Sequence, residues 1–404
     1  MAIIVASRSN SAPHARRTGG LAASVSMSVR TDTAQDRVAE SLSITIQTSQ
    51  PPLKQLKNSK YSTAMSSAKD LVLITGATGF LAQHVVSATL AAGYRVRGTI
   101  RSPSSGRALQ AKFPTDFESV VVPDVASSDL TDALKDVTYV LHTASPYTFA
   151  ITNGEEELLK PAINGTLNVL RAAHKAGVKK VVITSSFAAI NDASKGGPWR
   201  AYEYTERDWN PTTYEQAAAP GAQPGLVYSA SKKLAETAAW DFAKEHGLEL
   251  VALNPPMIYG PALQDSATSP KALNTSAAMI YKLFSGEVTE VPEDGLPLFV
   301  DVRDVAEAHV RALRPAATGA RIPLCGGAFT WLQAVEHLSR KYPALQSRLA
   351  KPSAKAKADE RVQATISTRV AAEKLGMDKF IGWEQSLDDT VDSLLELEKK
   401  WAQQ

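Results

Sequence analysis

The sequence predicts an α/β protein organised on a doubly wound parallel sheet, with a smaller C-terminal part that binds the substrate. Two observations carry that prediction. Residues 70–86, Asp-Leu-Val-Leu-Ile-Thr-Gly-Ala-Thr-Gly-Phe-Leu-Ala-Gln-His-Val-Val, read as a buried strand, a glycine turn and a helix. Short apolar runs then alternate with helical stretches as far as Leu253, the pattern of successive strand–helix–strand units.

Size and composition set the outer limits. A chain of 404 residues holds one large α/β domain and a smaller one. Cys325 is its only cysteine, which excludes an intrachain disulfide and a cysteine-based metal cluster and suits a reducing compartment. No apolar run is long enough to span a bilayer. Residues 1–64 carry eight Lys/Arg against three acids, a net of +5, which leaves −2 of the whole-chain +3 for the remainder. Neither nucleic acid nor an anionic membrane is therefore expected as a partner, and no metal is expected.

The expected divisions are residues 1–64, an extension; 65–254, a cofactor-binding domain with the catalytic residues; and 255–404, mainly substrate-binding. Residues 1–64 are rich in Ser, Thr, Ala and Gln with little periodic patterning. Three readings stay open: a disordered extension, a mitochondrial transit peptide over residues 1–30, or a stretch upstream of the true start at Met65. The compartment expected is the cytoplasm, or the mitochondrion if residues 1–30 act as a transit peptide.

In order, Leu71–Ile74 is the first strand. The spacing Gly76-x-x-Gly79-x-x-Ala82 lets the chain turn tightly, lets phosphate oxygens approach the backbone, and lets the helix pack on its strand. The turn and the helix N-terminus attract a pyrophosphate, and the predicted contacts there are Gly76, Thr78, Gly79, Phe80 and Leu81. Tyr94–Ile100 is the second strand. An NAD enzyme usually has an acid near its end, to hold the ribose 2′-hydroxyl. Here Arg101 stands there, with Arg107 beyond. Guanidinium groups bind a 2′-phosphate, so NADPH is predicted, although Arg107 also reads as a solvated surface residue.

Ser119–Val122 is a third strand, followed by Asp124 and Val125. Asp124 reads equally as a partner for the adenine amino group or as a helix cap. Thr138–His142 is a fourth, and Thr143, Ala144 and Ser145 at its C-terminal end are expected beside the cofactor; His142 is expected to be packed rather than a base. A helix over Glu155–Ala176 stops at Gly177, and a fifth strand, Lys180–Thr184, ends at Ser185-Ser186. Residues 194–224 read as an ordered loop, Gly225–His246 as a helix and Leu248–Leu253 as a sixth strand. Beyond Asn254-Pro255-Pro256 come strands at Leu298–Val302 and Arg321–Leu324, with helices at Val305–Leu313, Thr330–Lys341 and Leu387–Trp401. Lys351–Lys357 reads as a solvated connector.

The chemistry centres on Tyr228-Ser-Ala-Ser-Lys232. Residues four apart share a helix face, so the ammonium sits beside the phenol and lowers its pKa from about 10. Tyr228 becomes a general acid, Lys232 also holds the nicotinamide ribose, and Ser186 donates to the carbonyl oxygen of the substrate.

Thr75-Gly-Ala-Thr-Gly-Phe-Leu-Ala82, His142-Thr-Ala-Ser-Pro146, Thr184-Ser-Ser186, Tyr228-x-x-x-Lys232, Asn254-Pro-Pro-Met-Ile-Tyr-Gly-Pro261 and Val300-Asp-Val-Arg-Asp-Val-Ala-Glu-Ala-His309 together resemble the extended short-chain dehydrogenase/reductases. Within these the likeness is to the dihydroflavonol reductase and cinnamoyl-CoA reductase group and the methylglyoxal and ketone reductases, over Lys69–Trp401. The resemblance implies a Rossmann-type sheet and a Ser186–Tyr228–Lys232 triad, with Ser185 the competing serine. It implies hydride transfer from NADPH to an aldehyde or ketone while Tyr228 protonates the oxygen. Backbone around Pro255 to Ile258 would meet the nicotinamide carboxamide, and Tyr147, Phe149, Phe187, Met257 and Tyr281 would line the substrate pocket. Trp240 is expected to be packing. A monomer or homodimer is expected. Two other functions share these features: an NAD-dependent sugar-nucleotide epimerase or dehydratase, which Arg101 disfavours, and a non-catalytic NADP-sensing regulator, which usually lacks the Tyr/Lys pair.

Overall fold

The computed structural model describes residues 69–145, 151–263, 267–357 and 360–403. The expectations for residues 1–64 and Met65, and for Tyr147 and Phe149, lie outside the described residues. The chain runs β1 (Leu71–Thr75), α1 (Phe80–Ala91), β2 (Arg95–Ile100), α2 (Pro103–Lys112), β3 (Phe117–Val121), α3 (Thr131–Leu134), β4 (Tyr139–His142), α4 (Lys160–Lys175), β5 (Lys180–Thr184), β6 (Glu203–Tyr204), α5 (Tyr214–Ala218), α6 (Pro224–His246) and β7 (Glu249–Asn254). It continues through β8 (Met257–Tyr259), α7 (Thr275–Lys282), β9 (Leu298–Asp301), α8 (Val302–Arg311), β10 (Arg321–Pro323), β11 (Gly327–Ala328), α9 (Trp331–Lys341), α10 (Ala354–Lys357), β12 (Thr365–Ile366), α11 (Arg369–Leu375) and α12 (Trp383–Trp401).

Seven strands form one sheet in the order β10-β7-β5-β4-β1-β2-β3, every neighbouring pair parallel. All five residues of β1 are buried because apolar clusters cover both faces of the sheet. The chain builds outward from β1 through β2 to β3, then crosses back to lay β4 on the other side of β1. A crevice opens at that reversal, at the C-terminal ends of β1 and β4, where doubly wound sheets take their ligands.

Several expectations shift by a residue or more, with physical reasons. The predicted helix over Glu155–Ala176 is α4 preceded by a wider π-type turn at Glu155–Leu159; Pro161 has no N–H to give an α-helical ladder there. Gly177, at φ +72°, takes the left-handed conformation that ends it. The helix expected from Val305 begins at Val302, because the Asp301 carboxylate caps it by accepting from the Arg303 N–H at 2.8 Å. α2 has no counterpart in the expectations, although Pro103 at its first position is a helix-start signal. The loop 194–224 contains β6, which pairs with the remote β12, and α5, which starts in a Thr213/Gln216 capping box. The expected connector 351–357 includes the short α10.

The residues after 254 form the small sheet β11-β9-β8 and a cluster around Phe284, Phe299, Phe329, Trp331 and Leu394. They also return to the main sheet: β10 pairs with β7, and Val305 and Ala308 of α8 share a core with Val85 and Val86 of α1.

Candidate active site

At the crevice, Gly76 adopts φ +68°. A Cβ there would lie 3.1 Å from the Ala144 Cβ, so only glycine lets the turn after β1 lie this close to the segment after β4. The Gly76 N–H donates to Thr99 Oγ1 at 2.8 Å, and the Gly79 N–H to the Gly76 carbonyl at 2.9 Å. Gly79 caps α1 without a side chain, and the first turn of α1 holds no acid. First-turn N–H groups are thus left for an anion. Thr78, Phe80 and Leu81 are half-buried around the same turn, Phe80 edge-on to His84.

Thr75 organises the facing wall. Its Oγ1 accepts from the Thr143 and Ala144 N–H groups at 3.1 and 3.0 Å. With both lone pairs used, its proton goes to His142 Nδ1, 2.8 Å away. His142 is buried, and burial, with the nearby Lys232 charge, pushes its pKa down to about 4. It is a neutral packed residue, as the sequence suggests. Thr143 and Ala144 are half-buried and Ser145 is exposed at the rim.

Arg101, directly after β2, and Arg107, in α2, are exposed and have no ion-pair partner among the described residues. Between them, Ser102 Oγ lies 3.0 Å from both Ser104 Oγ and Ser105 Oγ. These hydroxyls, at the start of α2, were not singled out in the sequence; Ser-Pro-Ser-Ser directly after a strand was the available signal. Asp124 is exposed, and its carboxylate accepts from Ser127 Oγ at 2.5 Å and the Ala126 N–H at 3.0 Å, bonds that hold its pKa below the usual range. It therefore organises its own turn. Val125 packs half-buried against the core.

Tyr228 and Lys232 lie on the first turns of α6, Tyr228 half-buried and Lys232 9% exposed. The Lys232 ammonium is 5.9 Å from the Tyr228 ring centre, and burial pushes its pKa down to about 8. Behind it a cavity of about 20 Å³, bounded in part by His142, Thr166, Ser185 and Glu236, has room for about one water.

The two serines after β5 differ. Ser185 is buried and donates to Glu236 Oε2 at 2.5 Å, so its proton is committed. Ser186 is half-buried, and its Oγ accepts from the Ala188 N–H at 3.1 Å, which leaves its own hydrogen to donate. Pro255 is buried and its carbonyl accepts from the Phe187 N–H at 2.8 Å. Ile258 and Met257 are half-buried in β8.

Two of the expected substrate contacts are engaged in packing or hydrogen bonds elsewhere. Phe187 is 1% exposed, edge-on to Tyr204 at 5.0 Å in a closed apolar cluster, and gives the cleft almost no side-chain surface. Tyr281 donates to Glu398 Oε1 at 2.6 Å and packs edge-on to Phe284 and Trp401. Burial and Glu398 push its pKa up to about 12; both features are those of a core tyrosine. Trp240 donates to Glu236 Oε1 at 3.2 Å and packs against the core. The role of Glu236 was missed, although it stands one turn beyond Lys232 on the same face.

The family model "NAD dependent epimerase/dehydratase family" matches residues 72–323. The NADPH-dependent methylglyoxal reductase GRE2 of Saccharomyces cerevisiae is 35% identical over 348 residues, 81% of this chain and 98% of that one. The crystal structure of yeast methylglyoxal/isovaleraldehyde reductase Gre2 complexed with NADPH superposes with a TM-score of 0.71 at 34% identity, covering 82% of this chain and 99% of that one. The ketoreductase azaE of Aspergillus niger is 36% identical over 303 residues, 70% of this chain and 86% of that one. Among the described residues, no helix is long and apolar enough to cross a membrane, and no group of His, Cys, Asp and Glu could hold a metal ion.

Proposed function

The chain belongs to the NAD dependent epimerase/dehydratase family, the extended short-chain dehydrogenase/reductases, and we propose that it is an NADPH-dependent reductase of aldehydes or ketones. One observation carries the proposal: Tyr228 and Lys232 share a face of α6, while Arg101 and Arg107, without an ion-pair partner among the described residues, follow β2. A 2′-phosphate suits those guanidiniums, and the Gly76–Gly79 turn with the start of α1 suits a pyrophosphate held by backbone N–H groups.

Bound NADPH supplies the hydride that reduces the carbonyl carbon. Ser186 donates its hydrogen to the carbonyl oxygen and holds it as negative charge builds there. Tyr228 then gives that oxygen a proton, completing the alcohol. Lys232, charged below a pH of about 8, stabilises the phenolate left behind. Thr75 and His142 keep the wall at Thr143–Ala144 fixed. Bound NADPH would have Thr78, Phe80 and Leu81 at its pyrophosphate, Val125 and the Asp124 turn at its adenine, and Ser145, Pro255 and Ile258 at its nicotinamide end. Met257 is the half-buried side chain best suited to touch the substrate.

A bound NAD used for epimerisation would want an acid after β2 for the 2′-hydroxyl; Arg101 stands there instead. NADPH oxidation followed with methylglyoxal, isovaleraldehyde and a panel of larger ketones is the test. Carbonyl-dependent oxidation that favours NADPH over NADH is expected. Tight NADPH binding without oxidation by any carbonyl would make the protein a sensor and overturn the reading.

A further inference from the structure

Glu236 is 1% exposed in the middle of α6, and both of its oxygens are in use. Oε1 accepts from Arg321 Nε at 2.6 Å and from Trp240 Nε1 at 3.2 Å. Oε2 accepts from Ser185 Oγ at 2.5 Å and from Asn254 Nδ2 at 2.8 Å. One carboxylate thus ties the helix that carries Tyr228 and Lys232 to β7, to β10 and to the segment that carries Ser186.

The bland reading is a buried ion pair that only stabilises the fold, and the pair with Arg321 fits it. Arg321 has its own structural duties: it donates to the carbonyls of Glu206, Asp208 and Ala189 and stacks at 3.7 Å on Trp209. The Oε2 side does something else. Its two donors bracket Ser186, since Ser185 precedes it and Asn254 Nδ2 also donates to the Ser186 carbonyl at 3.3 Å. Asn254 Oδ1 is buried with no hydrogen-bond partner among the described residues, where its amide is held from the Nδ2 end. Tyr228, Lys232 and Glu236 are spaced four apart and stack along one face of α6. A rotation of α6 about its axis would swing the phenol away from Ser186, and Glu236 is placed to resist it.

We propose that Glu236 is a positioning residue: its Oε2 bonds to Ser185 and Asn254 set the rotation of α6, and with it the distance between the Ser186 hydroxyl and the Tyr228 phenol. The proposal rests on the reductase reading above. Its test compares Glu236→Gln, the charge-balanced double variant Glu236→Gln/Arg321→Gln, and Ser185→Ala, which leaves the ion pair whole. Three quantities are read for each: melting temperature, NADPH Kd by fluorescence titration, and kcat and KM for a ketone the unmodified enzyme reduces.

Glu236→Gln is expected to melt lower, since Arg321 loses its counter-charge, and the double variant to recover part of that loss. Both are expected to keep kcat about 10- to 100-fold down, a misalignment effect, with NADPH Kd and ketone KM little changed. Ser185→Ala is expected to lower kcat in the same direction at a near-normal melting temperature. If kcat recovers with the melting temperature in the double variant, Glu236 is structural only and the proposal is overturned. Should the double variant fail to fold, Ser185→Ala decides: unchanged kcat overturns the proposal and reduced kcat at unchanged KM supports it. An unmodified chain that reduces no carbonyl removes the reductase reading itself, which is a different failure.

Discussion

On the nucleotide side, the bonds that shape the crevice join neighbouring strands at their C-terminal ends: the Gly76 N–H to Thr99 Oγ1, the Ala77 N–H to the Thr99 carbonyl, Thr143 and Ala144 N–H groups to Thr75 Oγ1. The C-terminal lobe is assembled differently. Tyr281 meets Glu398 117 residues away, Trp401 donates to the Ala267 carbonyl across 134, and Phe329 stacks on Trp383 at 5.5 Å. On the nucleotide side, backbone N–H groups at strand ends meet the hydroxyls of Thr75 and Thr99 on adjacent strands. In the lobe, side chains from distant segments make the surface themselves. On the proposed reductase reading, the first region would hold a cofactor generic to the fold, and the second would set the substrate preference.

The largest expected effect lies where the two regions meet. Tyr228→Phe should lower kcat about a thousandfold, the scale of a lost general acid, with NADPH binding kept within a few-fold. Rates near those of the unmodified enzyme would remove Tyr228 from the chemistry. The second effect comes from burial at the same helix. Lys232 has its pKa lowered to about 8, so its charge is present below that value and lost above it. Turnover should decline as pH rises through about 8, and a profile flat to the ordinary lysine range, about 10, would contradict the role given to its charge.

Much of the nucleotide side was legible before any coordinates. The strand–turn–helix at 70–86 and the Tyr228/Lys232 spacing depend on residues close in sequence, and periodicity reports those. The position of Arg101 just after β2 was legible because a strand end is a fixed place in this sheet. The main helices of the lobe and its strands at Leu298 and Arg321 were legible too, but long-range pairings were not: β6 and β12 are two residues each and pair across the chain. Phe187 and Tyr281 carried the right apolar and aromatic character for a pocket, yet burial put one in a closed cluster and gave the other Glu398. Ser185 and Ser186 look alike in sequence, and only the partner of each hydroxyl distinguishes them. Nothing local announces Arg321 as the partner of Glu236, 85 residues away.

Two smaller effects sharpen the contrast. Arg101→Asp should move the preference from NADPH towards NADH by about tenfold, the worth of one charge-assisted bond, measured as the ratio of the two kcat/KM values. An unchanged ratio would dismiss the contact. Tyr281→Phe, inside the lobe, should cost about 1 to 2 kcal/mol of stability, read by denaturant unfolding, and leave ketone KM unaltered. A clear rise in KM would return Tyr281 to the substrate pocket.

The most direct measurement is a crystal structure of the chain with NADPH and a ketone or its alcohol. The pyrophosphate is expected over the Gly76–Gly79 turn, the 2′-phosphate against Arg101, and the substrate oxygen in hydrogen-bond reach of both the Ser186 and Tyr228 hydroxyls. A substrate oxygen held elsewhere, with the Tyr228 hydroxyl turned from the cleft, would contradict the assignment.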